Sequence, residues 1–265
     1  MTSANALLIC GGTDVFPANA GRSVSRPVVD LSGIAALRGI TRVGGTIRIG
    51  GTTTWTDIIK ADLPGAFNGL KAAAREVGSI QIQNRGTIAG NLCNASPAAD
   101  GVPPLLTLDA EVELISARGT RVMPLADFIM GYRKTALAAD EMLSAILVPE
   151  PSPHAASGFV KLGARRYLVI SILMAAAVIE RGSDGSIARA AIAVGAASPV
   201  AQRLRQLERE LAGLAPGIAP STLIRSHHLE GLSPIDDVRA TAAYRLEAAM
   251  TIVGEALDLA AGVTA

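Results

Sequence analysis

Few residues in this 265-residue chain are arranged for acid–base or metal chemistry. The three histidines are His154, in a proline-rich stretch, and the pair His227-His228, in a late polar run. Neither place has a carboxylate or cysteine at ligand spacing, so solvated histidines are expected. The two cysteines, Cys10 and Cys93, are too few for a disulfide framework or a four-thiolate cluster. Nothing beside Cys93 marks it as a thiolate nucleophile, and a small buried thiol is expected. The candidate chemistry lies elsewhere, in glycines and in small hydroxyl and amide side chains. Gln81 to Asp100 carries two glycines, three asparagines, Thr87, Ser96 and Asp100, with Ile82, Ile88 and Leu92 as apolar anchors. An ordered loop of that composition is suited to holding phosphates. Asp100 could accept hydrogen bonds from ribose hydroxyls, or simply cap the turn before Pro103-Pro104. A second candidate is Gly11-Gly12-Thr13-Asp14, which ends the apolar run Leu7 to Cys10. Paired glycines at a strand end let the backbone turn sharply and approach a ligand closely. No third glycine follows at dinucleotide-fingerprint spacing, and the absence of Gly-Lys-Ser/Thr excludes a P-loop NTPase. On the residues alone, a nucleotide cradle and an ordinary structured surface loop both stay open.

The elements that must position these residues follow from periodicity. Pro27 to Leu31 reads as a short strand. Ile40 to Val43 and Thr46 to Ile49 read as a hairpin about Gly44-Gly45. Thr54 to Ala61 reads as a short helix, and Leu70, Ala73, Ala74 and Val77 mark a second. Ala110, Val112 and Leu114 alternate with charges as a half-exposed strand, turning at Arg118-Gly119 into Thr120 to Met123. Met142 to Val148 is a further strand. Pro149, Pro151 and Pro153 then break both periodicities and form the linker. Beyond it, Phe159 to Leu162, Ile170 to Ile179 and Ile187 to Val194 read as three strands. Ser198-Pro199 reads as the cap of a helix bearing Leu204, Leu207 and Leu211. Leu246, Met250, Val253 and Leu257 mark a final helix. The fold class is α+β, with a break separating 1–153 from 154–265.

Composition narrows the setting. Lys+Arg 24 against Asp+Glu 23 argues against nucleic-acid or membrane-surface binding. The longest apolar run, Leu168 to Ile179, is far short of the about 20 residues a bilayer span needs. Met1 to Leu8 lacks the basic start and long apolar core of a signal peptide, so a cytoplasmic protein is expected. The low charged fraction, 18%, suits a chain that buries surface against partner subunits.

Taken in order, several motifs resemble one family. Gln81 to Asp100, followed by Pro103-Pro104-Leu105-Leu106 and Leu108-Asp109-Ala110, resembles the signature of the FAD-binding medium subunit of molybdenum hydroxylases. That family includes carbon monoxide dehydrogenase, the xanthine dehydrogenase flavin domain and bacterial N-heterocycle hydroxylases. Gly11-Gly12-Thr13-Asp14, Gly131 to Thr135, Lys161 to Arg166 and Tyr244-Arg245 agree and keep the family order.

The resemblance implies a two-subdomain FAD-binding domain of the vanillyl-alcohol-oxidase type (1–153), followed by a small antiparallel sheet with helices (154–265). It implies that Leu8, Ile9, Cys10, Gly11, Gly12, Thr13, Asp14 and Val15 form one pyrophosphate loop. Thr87, Ile88, Ala89, Gly90 and Asn91 form the other. It further implies Asp100 as a ribose-side acid, Leu143 as a backbone contact to the flavin and Lys161 as a flavin-side lysine, with Tyr167 covering the ring. No catalytic acid or base and no metal is expected in this chain. The molybdenum–pterin cofactor and [2Fe-2S] clusters are expected on a large and a small partner subunit, in a dimer of heterotrimers. The chain would pass electrons from the clusters through FAD to an external acceptor. A stand-alone FAD-dependent oxidase or reductase, and a cofactor-free assembly subunit, stay open as alternatives. Two departures from the family matter. The usual strand and helix before the first glycine loop are lacking, which implies a trimmed first subdomain or a neighbouring element in place of the missing strand. Leu168 stands where animal xanthine enzymes carry an aspartate, which argues against carrying over NAD as acceptor.

Overall fold

The computed structural model describes residues 6–263; Met1 to Asn5, part of the stretch read as lacking a leader's character, lie outside the described residues. The first apolar run forms β1 (Leu7–Ile9), which turns at the glycine pair into the single turn α1 (Val15–Ala18). β2 (Val28–Asp30) returns parallel to β1, with Leu7 opposite Val28. The expected hairpin follows as β3 (Ile40–Val43) and β4 (Thr46–Gly50). Gly44 and Gly45 both take positive φ, 57° and 75°, as a two-residue turn between right-twisted strands requires.

Helix α2 (Trp55–Lys60) starts at Thr54, whose hydroxyl accepts from the Asp57 N–H while the Asp57 carboxylate accepts from the Thr54 N–H. It buries Trp55 and Ile58, and α3 (Asn68–Glu76) buries Leu70, Ala73 and Ala74. The stretch expected to be one polar loop is instead largely helical: α4 (Ile80–Arg85) and α5 (Ile88–Asn94). Thr87, expected as a phosphate-binding hydroxyl, caps α5 by accepting from the Gly90 N–H, and Ser79 caps α4 by accepting from the Ile82 N–H. Every residue of α6 (Val102–Thr107) is buried.

β5 (Glu111–Ser116) and β6 (Gly119–Pro124) form the second expected hairpin. The single turn α7 (Leu125–Phe128) and the two-stranded β7 (Ile129–Gly131) and β8 (Lys134–Thr135) lead to β9 (Met142–Pro149). β9 joins the hairpins into an antiparallel five-stranded sheet, ordered β3-β4-β9-β5-β6. Ile47, Ile49, Val112, Leu114, Ile146 and Val148 point from it onto Trp55, Phe67, Leu70 and Leu105, making the main core.

After the prolines come β10 (Ala155–Leu162), β11 (Leu173–Arg181), β12 (Ile187–Gly195) and β13 (Gln202–Arg203), antiparallel and in chain order. β11 begins at Leu173, later than expected: Ile170 is exposed in the connecting loop. Ser198-Pro199 caps no helix. It lies in the bend before β13, and α8 (Arg205–Leu211) starts seven residues after Ser198. α9 (Ala242–Ala261) covers the sheet. Its buried stripe is Ala249, Val253, Ala256, Leu257 and Ala260, whereas Leu246 of the expected stripe faces out. Alanines at 175–177, 190, 191 and 193 let helices approach both faces of this sheet closely. The core is shared across the linker, because Ala155, Val178, Ala191 and Ala193 pack with the residues of the first sheet.

Candidate functional site

One cavity of about 690 Å³ is walled by three segments far apart in sequence: the loop after β1, helix α5, and the turn between β8 and β9. Gly11 can lie against the 85–86 backbone only without a side chain, since a Cβ there would drive into the carbonyl oxygen of Arg85. Gly12 has φ +69°, a conformation costly for other residues, and its carbonyl accepts from the Phe16 N–H at 3.0 Å. Among the described residues, the N–H groups of Gly11, Gly12, Thr13, Asp14 and Val15 find no acceptor. The Asp14 carboxylate accepts from Asn94 Nδ2 at 2.9 Å, tying this loop to α5. From α5, Ala89, Gly90, Asn91, Cys93 and Asn94 line the cavity, and Asn91 Oδ1 is buried with no hydrogen-bond partner. Leu31, Trp55, Val77, Leu137, Met142 and Leu143 add apolar wall.

Of the residues singled out from sequence, Leu8 to Val15, Thr87, Ala89, Gly90, Asn91 and Leu143 all meet at this cavity. Ile88 does not. It is fully buried on the core side of α5, and its N–H donates to Thr53 O. Asp100 and Lys161 do not line the cavity either; they are spent on each other. Lys161 Nζ donates to Asp100 Oδ2 at 2.7 Å and to Glu76 O at 3.3 Å, and Ser171 Oγ donates to Asp100 Oδ1 at 2.6 Å. Burial pushes the Asp100 carboxyl up, while the Lys161 ammonium and the Ser171 hydroxyl pull it down. Tyr167 stands 60% exposed outside the cavity, with the Arg166 guanidinium 5.3 Å from its ring centroid.

Two expectations about reactive side chains change. Cys93 is open to the cavity rather than buried, yet protein surrounds it closely enough that desolvation pushes its thiol up to about 12. That direction disfavours the thiolate form a nucleophile would need. Desolvation also raises the Cys10 thiol, against a hydrogen bond with Thr87 that lowers it. His228 is buried, not solvated. Its Nδ1 accepts from the Arg225 N–H at 3.0 Å, and its Nε2 lies 3.0 Å from Glu210 Oε2. The fold thus supplies, from α8, the carboxylate that local sequence lacked, and Glu210, His227 and His228 converge. Nδ1 as acceptor makes Nε2 the N–H side of the ring, so His228 offers a metal no lone pair.

The wall residues that sequence missed include Leu31, Trp55, Val77, Ile82, Thr135, Leu137, Ala138, Ala139, Glu141 and Met142. Glu141 among them is held well below the usual carboxylate range, at about 2, chiefly by hydrogen bonds from Arg121.

A mixed α/β chain whose cavity offers a run of free main-chain donors beside apolar wall defines a protein that holds a nucleotide-type cofactor. Residues 1–151 match the family described as the FAD binding domain in molybdopterin dehydrogenase, and residues 158–260 match the CO dehydrogenase flavoprotein C-terminal domain. The chain belongs to this family, the FAD-binding subunits of the molybdenum hydroxylases, and is an oxidoreductase component. It is 37% identical over 211 residues to the nicotinate dehydrogenase FAD-subunit of Eubacterium barkeri, covering 78% of this chain and 71% of that one. It is 32% identical to the xanthine dehydrogenase FAD-binding subunit of Escherichia coli O157:H7, covering 97% and 90%. The carbon monoxide dehydrogenase of Hydrogenophaga pseudoflava superposes with a TM-score of 0.90 at 27% identity, over 99% of this chain and 92% of that chain.

Proposed function

We infer that this chain is the electron-transfer subunit of a heterotrimeric molybdenum hydroxylase. It takes electrons from iron–sulfur clusters on a small subunit and passes them through FAD to an external acceptor. A large subunit carries the molybdenum–pterin cofactor and hydroxylates the substrate, and two such heterotrimers pair in the cytoplasm. The observation that carries this reading is the convergence of two glycine-bearing segments, about eighty residues apart, on one cavity with free N–H donors and an orphaned Asn91 Oδ1.

FAD fits the residues present. The free N–H groups of Gly11 to Val15 would hold its pyrophosphate, with Thr87 to Asn91 closing the other side. Asn91 Oδ1 would accept from one of its hydroxyl or N–H groups, and Trp55, Leu137 and the Leu143 backbone would border the ring. Asp100 and Lys161 support the site from behind, because Lys161 also holds Glu76 O, next to the wall residue Val77. When bound, FAD supplies the capacity to accept and release electrons singly or in pairs. The side chains around it are suited to holding and to excluding water rather than to moving substrate protons. The Asp14 carboxylate is bonded to Asn94, Glu141 to Arg121, and desolvation pushes the Cys93 thiol up, away from the thiolate. A self-sufficient oxidase would need a general base here.

Purification of the chain with spectroscopy tests this reading. The expected outcome is flavin absorbance, FAD released on denaturation, and co-purification with iron- and molybdenum-bearing subunits. A chain that binds no FAD even after incubation, or that runs alone as a complete active enzyme, overturns it.

A further inference from the structure

The cavity wall between β8 and β9 is the segment Ala136-Leu137-Ala138-Ala139-Asp140-Glu141. Leu137, Ala138, Ala139 and Glu141 line the cavity directly, and Met142 and Leu143 continue the wall. Half of the segment is alanine, and it belongs to no helix or strand. It needs an outside anchor to keep one shape, and that anchor is Arg121 on the edge strand β6. Arg121 Nε donates to Glu141 Oε1 and its Nη2 to Glu141 Oε2, both at 2.7 Å. Nη2 also donates to Ala136 O at 2.9 Å. Glu141 Oε2 in turn accepts the Ala138 N–H at 2.9 Å, and the Glu141 N–H donates to Ala138 O at 3.0 Å. Both ends and the middle of the turn are therefore tied to one guanidinium. The Glu141 side chain is only 6% exposed, whereas the Arg121 side chain is 44% exposed, so the carboxylate sits under the guanidinium while the outer edge of the fork meets solvent.

Resting on the FAD reading above, we propose that Arg121 and Glu141 are positioning residues for the cofactor. They hold the 136–141 backbone at the spacing the bound flavin requires. A point charge cannot replace the guanidinium, because the geometry uses two parallel N–H donors plus a third contact to a carbonyl. Arg118, whose Nη1 lies 2.6 Å from Asp140 Oδ2, steadies the outer side of the same turn. Arg121 itself does not line the cavity, so it acts on the cofactor only through the backbone it fixes.

The test titrates FAD into the flavin-stripped full-length chain, following flavin fluorescence, and records the absorbance and reduction potential of the bound flavin. Arg121→Gln is expected to raise the FAD dissociation constant roughly tenfold, by analogy with the low end of what outer-shell partners contribute to metal affinity, and to shift the flavin bands and potential. Arg121→Lys, which keeps the charge and loses the fork, should fall between wild type and Arg121→Gln. If Arg121→Gln does not fold, the near-isosteric Glu141→Gln takes its place with the same expectation. Variants that lower the melting temperature of the apoprotein but keep wild-type FAD affinity and spectrum overturn the proposal, leaving a merely structural brace. A wild-type chain that takes up no FAD instead overturns the functional reading itself, and this proposal with it.

Discussion

Single atoms decide the first glycine loop. Gly11→Ala places a Cβ against a main-chain carbonyl that cannot swing aside, so the loop must lift off Arg85. The expected outcome is loss of FAD from the purified protein, read as flavin absorbance per chain. Gly12→Val forces a branched residue to φ +69° and into the Phe16 ring, and should likewise abolish binding; Gly12→Ala should cost about 1–2 kcal/mol, roughly a tenfold loss of affinity. At Gly90 the reason differs from the one glycine type suggests. Its φ is ordinary, and a Cβ would instead crowd Thr87 Oγ1 at 2.9 Å, threatening a helix cap worth about 1 kcal/mol. The buried pair makes a separate prediction. Lys161→Met alone strands the Asp100 carboxylate and should cost about 3–5 kcal/mol in urea unfolding, whereas Lys161→Met with Asp100→Asn should recover much of it. The glycine pair was legible in the sequence, whereas Asp100 and Lys161 were expected as separate cofactor contacts and instead bond to each other. Their pairing was not legible, because 61 residues separate them and no local pattern encodes a contact across the domain junction.

At the level of elements, hairpins declared themselves through period-two alternation and glycine turns, and structure and sequence agree on them. The polar run from Gln81 misled because caps and loops draw on the same residues: Ser79 and Thr87 open helices too short to show an apolar period. Ser198-Pro199 misled in the same way, since a short edge strand, β13, intervenes before α8. The turn tied to β6 has a pH signature. Glu141 is lowered from about 4.5 to about 2, so its contribution is fully present above 4.5 and fades as pH falls through 2. The difference in urea midpoint between wild type and Glu141→Gln should therefore be constant from pH 7 to 5 and shrink towards pH 2. A difference that grows on acidification would contradict the ion pair. In the second sheet, Gly158 lets α9 lie on β10, where a Cβ would meet Ala256 O and Leu259 Cβ. Gly158→Val should lower stability by about 1–3 kcal/mol or more in the same assay.

The molecule as a whole divides in sequence but not in its core. Prolines at 149, 151 and 153 advertise a boundary, yet residues from β10, β11 and β12 complete the hydrophobic cluster of the first sheet. Arg203 reinforces the junction. It donates to Glu208 Oε1 and Asp109 Oδ1 at 2.5 and 2.8 Å and also to Leu106 O, while burial works against the favourable pull of both carboxylates. The chain should therefore unfold in one calorimetric transition whose enthalpy matches the van't Hoff value, rather than in two. FAD at about a hundred times its dissociation constant should raise that transition as a unit, by about 2.7 kcal/mol.

Trp55 is the one tryptophan of the chain, fully buried, with its indole wedged beneath Gly86 and Gly101 at the cavity wall. Indole emission overlaps flavin absorption, so this side chain is a resonance-energy donor built beside the acceptor's seat. Ultraviolet-excited emission should be bright in the stripped protein and quenched as the seat fills. Cofactor occupancy then becomes readable in the isolated chain, without a label and without turnover.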